Sequence, residues 1–207
     1  MSELHSNDID EQLQERIFQA FADNAKRGDY LIFSDFNYGC LPQSLVERLR
    51  DHCVGHEIHM AADSQSSSQE GDICRFKDVG LVCATEREAR LGLRDFQSGL
   101  VTITKQLAEV TKAQHVFLKL GAEGVVGFDA NADQLIRIPA LNKQPLDTAG
   151  AGDSMLITAA LSQACGANIW ESLIIGSIAA SIQVNRLGNS PLKQDDFAIA
   201  GMWAQEI

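Results

Sequence analysis

Asp147-Thr148-Ala149-Gly150-Ala151-Gly152-Asp153 concentrates in seven positions the residue types that phosphate chemistry needs. The small residues Gly150-Ala151-Gly152 let the backbone turn sharply and come close to a ligand. An apolar run from Met155 to Ala164 follows at once, so the turn leads into a predicted helix. Unpaired N–H groups and the dipole at such a helix start favour an anion. Asp153 falls in the first turn, beside the place where that anion would sit. A carboxylate there does not hold a phosphate by charge, which points to proton abstraction. The alternative is a plain helix cap, but capping does not require Gly-x-Gly before it.

A turn of this kind needs a rigid frame. Apolar spacing predicts a helix over residues 9–27, through Ile9, Leu13, Ile17, Phe18, Phe21 and Ala25. A short strand at 30–33 ends in Ser34-Asp35, and Pro42 opens a second helix to about Cys53. Further strands are expected at 57–62, 79–83 and 115–120, with a strand pair at 125–128 and 134–138. Helices are expected to start at Thr85 and to cover 98–112, 151–164, 169–186 and 194–205. Strands separated by helices predict an α/β layered fold with a largely parallel sheet. The polar, serine-rich loop 63–72 lies beyond a strand's carboxyl end, where such sheets bind ligands.

The 207 residues suffice for one sizeable core, and 45% hydrophobic with 22% charged residues suits a globular chain. The net charge of −11 argues against nucleic acid or an anionic membrane as the main partner, though not against ATP in a local amide-lined pocket. No apolar run approaches the roughly 20 residues that span a bilayer. Five scattered cysteines without a Cys-x-x-Cys pair suggest reduced thiols and a cytoplasmic location. His52 and His56, with Cys53 and His59 near, have a spacing that could hold a metal. Gly55 is expected to end the helix between them, which favours solvated or packed histidines.

Asp-Thr-x-Gly-Ala-Gly-Asp resembles the signature of the ribokinase-like (PfkB) carbohydrate kinases at every fixed position. The resemblance implies that Asp153 is the general base for a sugar hydroxyl and that Gly150, Ala151 and Gly152 form the anion hole. Ser34-Asp35-Phe36-Asn37-Tyr38-Gly39 resembles the Ser-Asp-Tyr-Gly-Lys-Gly segment of the heptose-phosphate kinase branch, without its basic residue. Asp63 resembles the aspartate of that branch's Asp-Pro-Lys segment, but Ser64-Gln65 follows it here. Thr85-Glu86-Arg87-Glu88 stands where the family has Asn-x-x-Glu, so Glu88 and Thr85 are the implied magnesium residues. The run Lys119-Leu120-Gly121-Ala122-Glu123-Gly124 resembles the nucleotide-lining turn, which implies that Lys119, Gly121 and Gly124 are ATP contacts; the alternative for Lys119 is to snorkel to solvent. Ala180 and Gly188 resemble the helix and glycine turn that close the adenine pocket. Asp147 and the Ala149 carbonyl occupy positions used for a monovalent cation such as K+.

The implied fold is three-layered and ribokinase-like, with a mostly parallel sheet and without a recognisable N-terminal substrate and lid portion. Residues 1–29 would be an amphipathic helix with an acidic tail, and 30–207 the nucleotide-binding domain. The expected activity is ATP- and Mg2+-dependent phosphorylation of a sugar or sugar phosphate. A catalytic base without its substrate cradle loses a positioning contribution worth several kcal/mol. The chain would therefore be part of a longer polypeptide, pair with a partner or a second copy along an open sheet edge, or serve as a non-catalytic nucleotide-binding module. A dinucleotide enzyme is disfavoured, because no Gly-x-Gly-x-x-Gly follows the early strands.

Overall fold

The computed structural model describes residues 8–65 and 71–197. Six strands form one sheet in sequence order: β1 Tyr30–Asp35, β2 His59–Ser64, β3 Leu81–Thr85, β4 His115–Lys119, β5 Val125–Asp129 and β6 Gln134–Ile138. The first four run parallel, and β5 and β6 return antiparallel. Helices α1 Glu11–Asn24, α2 Gln43–His56, α3 Glu86–Leu93 and α4 Leu100–Thr111 belong to one layer, and α5 Ala151–Ala164 with α6 Ile169–Gln183 to the other. Strand periodicity produces that division. Val82, Ala84, Val116 and Leu118 face Leu45, Leu49, Ile103 and Leu107, whereas Leu81, Cys83 and Phe117 face Met155, Leu156 and Leu173. With both faces covered, β3 and β4 read as continuous apolar runs instead of alternating ones.

The strand after the Gly124 turn depends on two glycines. Gly127 leaves room for the fully buried Leu173, whose Cδ2 would lie 2.6 Å from an added Cβ. Burying such a leucine contributes about 1.5–3 kcal/mol. Gly124 has φ 95° and ψ −133°, and a Cβ there would meet Ile138 O at 2.0 Å. Gly124→Ala is therefore expected to destabilise the fold by about 3 kcal/mol or more. Urea denaturation checks this, and a change within about 0.5 kcal/mol, typical of a surface site, would contradict it.

Several boundaries differ from expectation for physical reasons. Helix α2 runs through Gly55 to His56 and closes on left-handed Glu57. A glycine in an exposed helix costs only about 1 kcal/mol relative to alanine, too little to end it. The His52 and His56 rings then stack 4.0 Å apart, with His52 edge-on to Phe18 and Phe21 of α1. Among the described residues no group of three or more His, Cys, Asp or Glu is placed to hold a metal ion. Strand β2 begins at His59, not at residue 57, and reaches Ser64, so Asp63 lies inside the sheet instead of in the loop. Strand β3 is likewise later than the expected 79–83. Helix α6 stops at Gln183, before the expected 186. Of the helix expected over 194–205, residues 194–197 are helical and the rest lie outside the described residues, as do residues 66–70 of the serine-rich loop.

Candidate active site

Parallel strands bring their carboxyl ends to one edge of a sheet. Here the ends of β2, β3 and β4 meet the amino end of α5 around a cavity of about 610 Å³. Helices α3 and α6 open with reciprocal capping boxes, Thr85 with Glu88 and Asn168 with Glu171, whereas α2, α4 and α5 have no side-chain cap. Among the described α-helices, α5 alone starts from a left-handed residue. Its N-cap is Gly150 at φ 74°, and a Cβ there would lie 2.2 Å from Asn189 Oδ1. Only glycine fits that turn. The first-turn N–H groups are thus not claimed by a capping side chain, although Ala151 N donates to the Thr148 carbonyl at a long 3.4 Å; such a helix start receives an anion.

Asp153 lies half-buried in the first turn of α5 and lines the cavity with Gly150, Ala151 and Gly152. Its Oδ1 accepts a hydrogen bond from Gln65 Nε2 at 3.3 Å. Gln65 leaves the end of β2, where Asn37 Nδ2 donates to its carbonyl at 2.6 Å. Asn37 can reach it because its backbone is left-handed, at φ 59°, with its N–H donating to Asp35 Oδ1. Asp35 is in turn paired with Arg75 at 3.5 Å, so a basic residue does reach the segment 34–39, from a distant turn.

Lys119 does not snorkel to solvent. Its ammonium donates to Asp63 Oδ2 at 2.8 Å, and the two side chains are 14% and 1% exposed. A Cβ on Gly152 would lie 2.9 Å from Lys119 Nζ, so the cation packs against the glycine turn itself. Burial alone would disfavour the ammonium. The sulfur of Cys83 and the carboxylates of Asp63 and Glu88 outweigh it and hold the lysine pKa above its usual value. Asp63 keeps its second oxygen, Oδ1, buried without a hydrogen-bond partner among the described residues.

Thr85 and Glu88 also line the cavity, locked together. Thr85 N donates to Glu88 Oε2 at 2.7 Å, and Glu88 N donates to Thr85 Oγ1 at 3.2 Å. The nucleotide-type residues Gly121, Gly124 and Ala180 reach the wall, beside apolar Val125, Leu141 and Val184. Gly188 lies outside it. Its N–H donates to Asp147 Oδ2 at 2.9 Å and its carbonyl accepts from Gln183 Nε2 at 3.1 Å. Asp147 Oδ1 accepts from Ala149 N at 3.0 Å, and the Ala149 carbonyl accepts from Gln183 Nε2 at 3.2 Å. Sequence reasoning overlooked Gln65 as a partner of Asp153, the wall segment 141–143 and the buried Gln183. Only Gln65 had a signal, its position just past a strand that ends in an acid.

The family model described as "pfkB family carbohydrate kinase" matches residues 4–195. The chain is 27% identical over 164 residues to the bifunctional protein HldE of Campylobacter concisus, a match covering 77% of this chain and 33% of that protein. HldE of Desulfatibacillum aliphaticivorans is 25% identical over 191 residues, covering 90% and 38%. The chain thus spans well under half the length of these curated relatives. Among solved structures, phosphofructokinase-2 of Escherichia coli in complex with potassium is similar with a TM-score of 0.80 at 18% identity, over 96% of this chain and 64% of that one. Ribokinase of Thermotoga maritima is similar with a TM-score of 0.68 at 21% identity, over 97% and 62%. These similarities show the fold, a ribokinase-like α/β architecture.

Proposed function

This chain belongs to the pfkB family of carbohydrate kinases, and on that premise we propose that it is an ATP-dependent sugar kinase module. It transfers the γ-phosphate of ATP to a hydroxyl of a sugar or sugar phosphate. One observation carries this reading: a carboxylate, Asp153, in the first turn of a helix without a side-chain cap, lining a cavity together with a largely buried lysine, Lys119. Phosphoryl transfer depends on positioning and charge stabilisation more than on covalent chemistry. Asp153 takes the hydroxyl proton as the acceptor oxygen attacks the γ-phosphorus. The bond from that phosphorus to the bridging oxygen breaks, and ADP leaves with the electron pair. The amides of Gly150, Ala151 and Gly152 receive the charge on the transferred group, with Lys119 behind them. Gln65 holds one oxygen of Asp153 in place.

Magnesium keeps most of its waters and takes one or two carboxylates besides substrate phosphates. Glu88, a cavity-wall carboxylate with Thr85 beside it, fits that donor set. When bound, the ion would neutralise phosphate charge, and these two residues would hold it. The adenine is assigned to the wall formed by Gly121, Gly124, Val125 and Ala180. A heptose-phosphate-like acceptor is supported by the resemblance of residues 34–39 to that kinase branch.

Calorimetric titration with ATP and magnesium, followed by ADP release across free and phosphorylated sugars, tests this. Saturable ATP binding and acceptor-dependent ADP release, greatest with a heptose phosphate, are expected. Absence of ATP binding would overturn the reading. Binding without release for any acceptor would favour a nucleotide-binding assembly module instead.

A further inference from the structure

We propose that the side-chain amide of Gln183 fills the place of a monovalent cation beside the phosphate turn, so that residues 147–150 are held without potassium. The family resemblance implies such a cation at Asp147 and the Ala149 carbonyl, and the residues present do not fit it. Gln183 is fully buried at the end of α6. Its Nε2 donates to two carbonyls from distant segments, Ala149 O at 3.2 Å and Gly188 O at 3.1 Å. An amide nitrogen carries two N–H donors, one for each carbonyl. The opposite rotamer would press Oε1 against both carbonyl oxygens, so the network itself assigns the amide.

Gln183 Oε1 is itself buried without a hydrogen-bond partner among the described residues, whereas the oxygens of Asp147 and Val184 accept backbone hydrogen bonds. Asp147 Oδ1 accepts from Ala149 N, and its Oδ2 accepts from Gly188 N. These backbone bonds hold the Asp147 carboxyl below the usual carboxylate range. The Val184 carbonyl accepts from Leu146 N at 2.8 Å and Asp147 N at 3.2 Å. A ring of carbonyls that a dehydrated potassium ion would gather is here gathered by one neutral side chain. The consequence is geometric: Gln183 ties the loop before α5 to the loop after α6, and Gly150 sits in that tie against Asn189.

Its meaning for phosphotransfer rests on the kinase reading above, but its test reads cation binding by the protein itself. Thermal melting is compared in potassium chloride and choline chloride at equal ionic strength, without nucleotide. Wild-type melting temperatures are expected to agree within about 1 °C. Gln183→Ala removes the donor from both carbonyls and opens the space. That variant is expected to gain about 5–10 °C in potassium once the ion is roughly 100-fold above its Kd. A gain of that size in the wild type, or its absence in a folded Gln183→Ala protein, would overturn the proposal. If the variant does not fold in either salt, the wild-type comparison decides alone. Failure of the kinase reading would appear separately, as no ATP binding in either salt.

Discussion

Asparagine in place of Asp153 is expected to lower turnover by about 10²- to 10⁴-fold, the range that a positioned general base supplies. The amide has nearly the same shape and can keep a contact with Gln65, but it cannot accept the hydroxyl proton. The glycine turn and the adenine wall are untouched by the change. ATP affinity should therefore stay within about twofold of wild type, because only a transition-state interaction is removed. Single-turnover kinetics and calorimetry on the same preparation separate the two quantities. Equal turnover of variant and wild type would remove Asp153 from the chemistry. Loss of turnover together with ATP binding would mark it as a residue that shapes the turn.

The second large effect lies below that turn. Lys119→Met leaves Asp63, which is 1% exposed, as a buried carboxylate without its cation. Breaking a buried pair on one side costs about 3–5 kcal/mol. Burial raises the Asp63 carboxyl pKa, and the Lys119 charge acts against that shift. The folded-state pKa already lies above the unfolded one, and in the variant, with that opposition gone, it lies further above it. The linked stability is then present below the ordinary carboxylate pKa and lost as pH rises through the folded value. Lys119→Met should consequently be more damaged at neutral pH than in mild acid. Adding Asp63→Leu should recover most of the loss, since an apolar pair of similar volume is often tolerated where a lone charge is not. Denaturant titrations of the single and double variants at two pH values check both points. A Lys119→Met protein as stable as wild type at neutral pH would show that the pair contributes nothing.

Much of the site could be read from residue order, because the turn at 147–153 combines backbone requirement and chemistry in adjacent positions. Gly150 must be glycine for its left-handed backbone and for Asn189, and Asp153 follows by one helical turn. The parallel strands were legible as apolar runs, and the return through β5 and β6 as a short turn between glycines. Residues whose roles depend on distant partners were not legible. Lys119 could equally have reached solvent. Only the parallel register that sets β2, β3 and β4 side by side shows that Asp63 meets it. Gln183 follows an apolar helix and carries no local mark. Its importance appears when α6 ends beside two loops that no spacing rule connects. Asp63 reads as loop in the sequence because its polar neighbours, Ser64 and Gln65, resemble loop composition, while β2 still pairs with β1 through Ser64.

The most direct measurement is a crystal structure of this chain with magnesium and a non-hydrolysable ATP analogue. The terminal phosphate is expected within hydrogen-bonding distance of the Gly150–Gly152 amides, with the Asp153 carboxylate facing it from the acceptor side and Lys119 still paired to Asp63. A nucleotide bound elsewhere with the glycine turn vacant, or Asp153 turned away from the phosphate, would contradict the account.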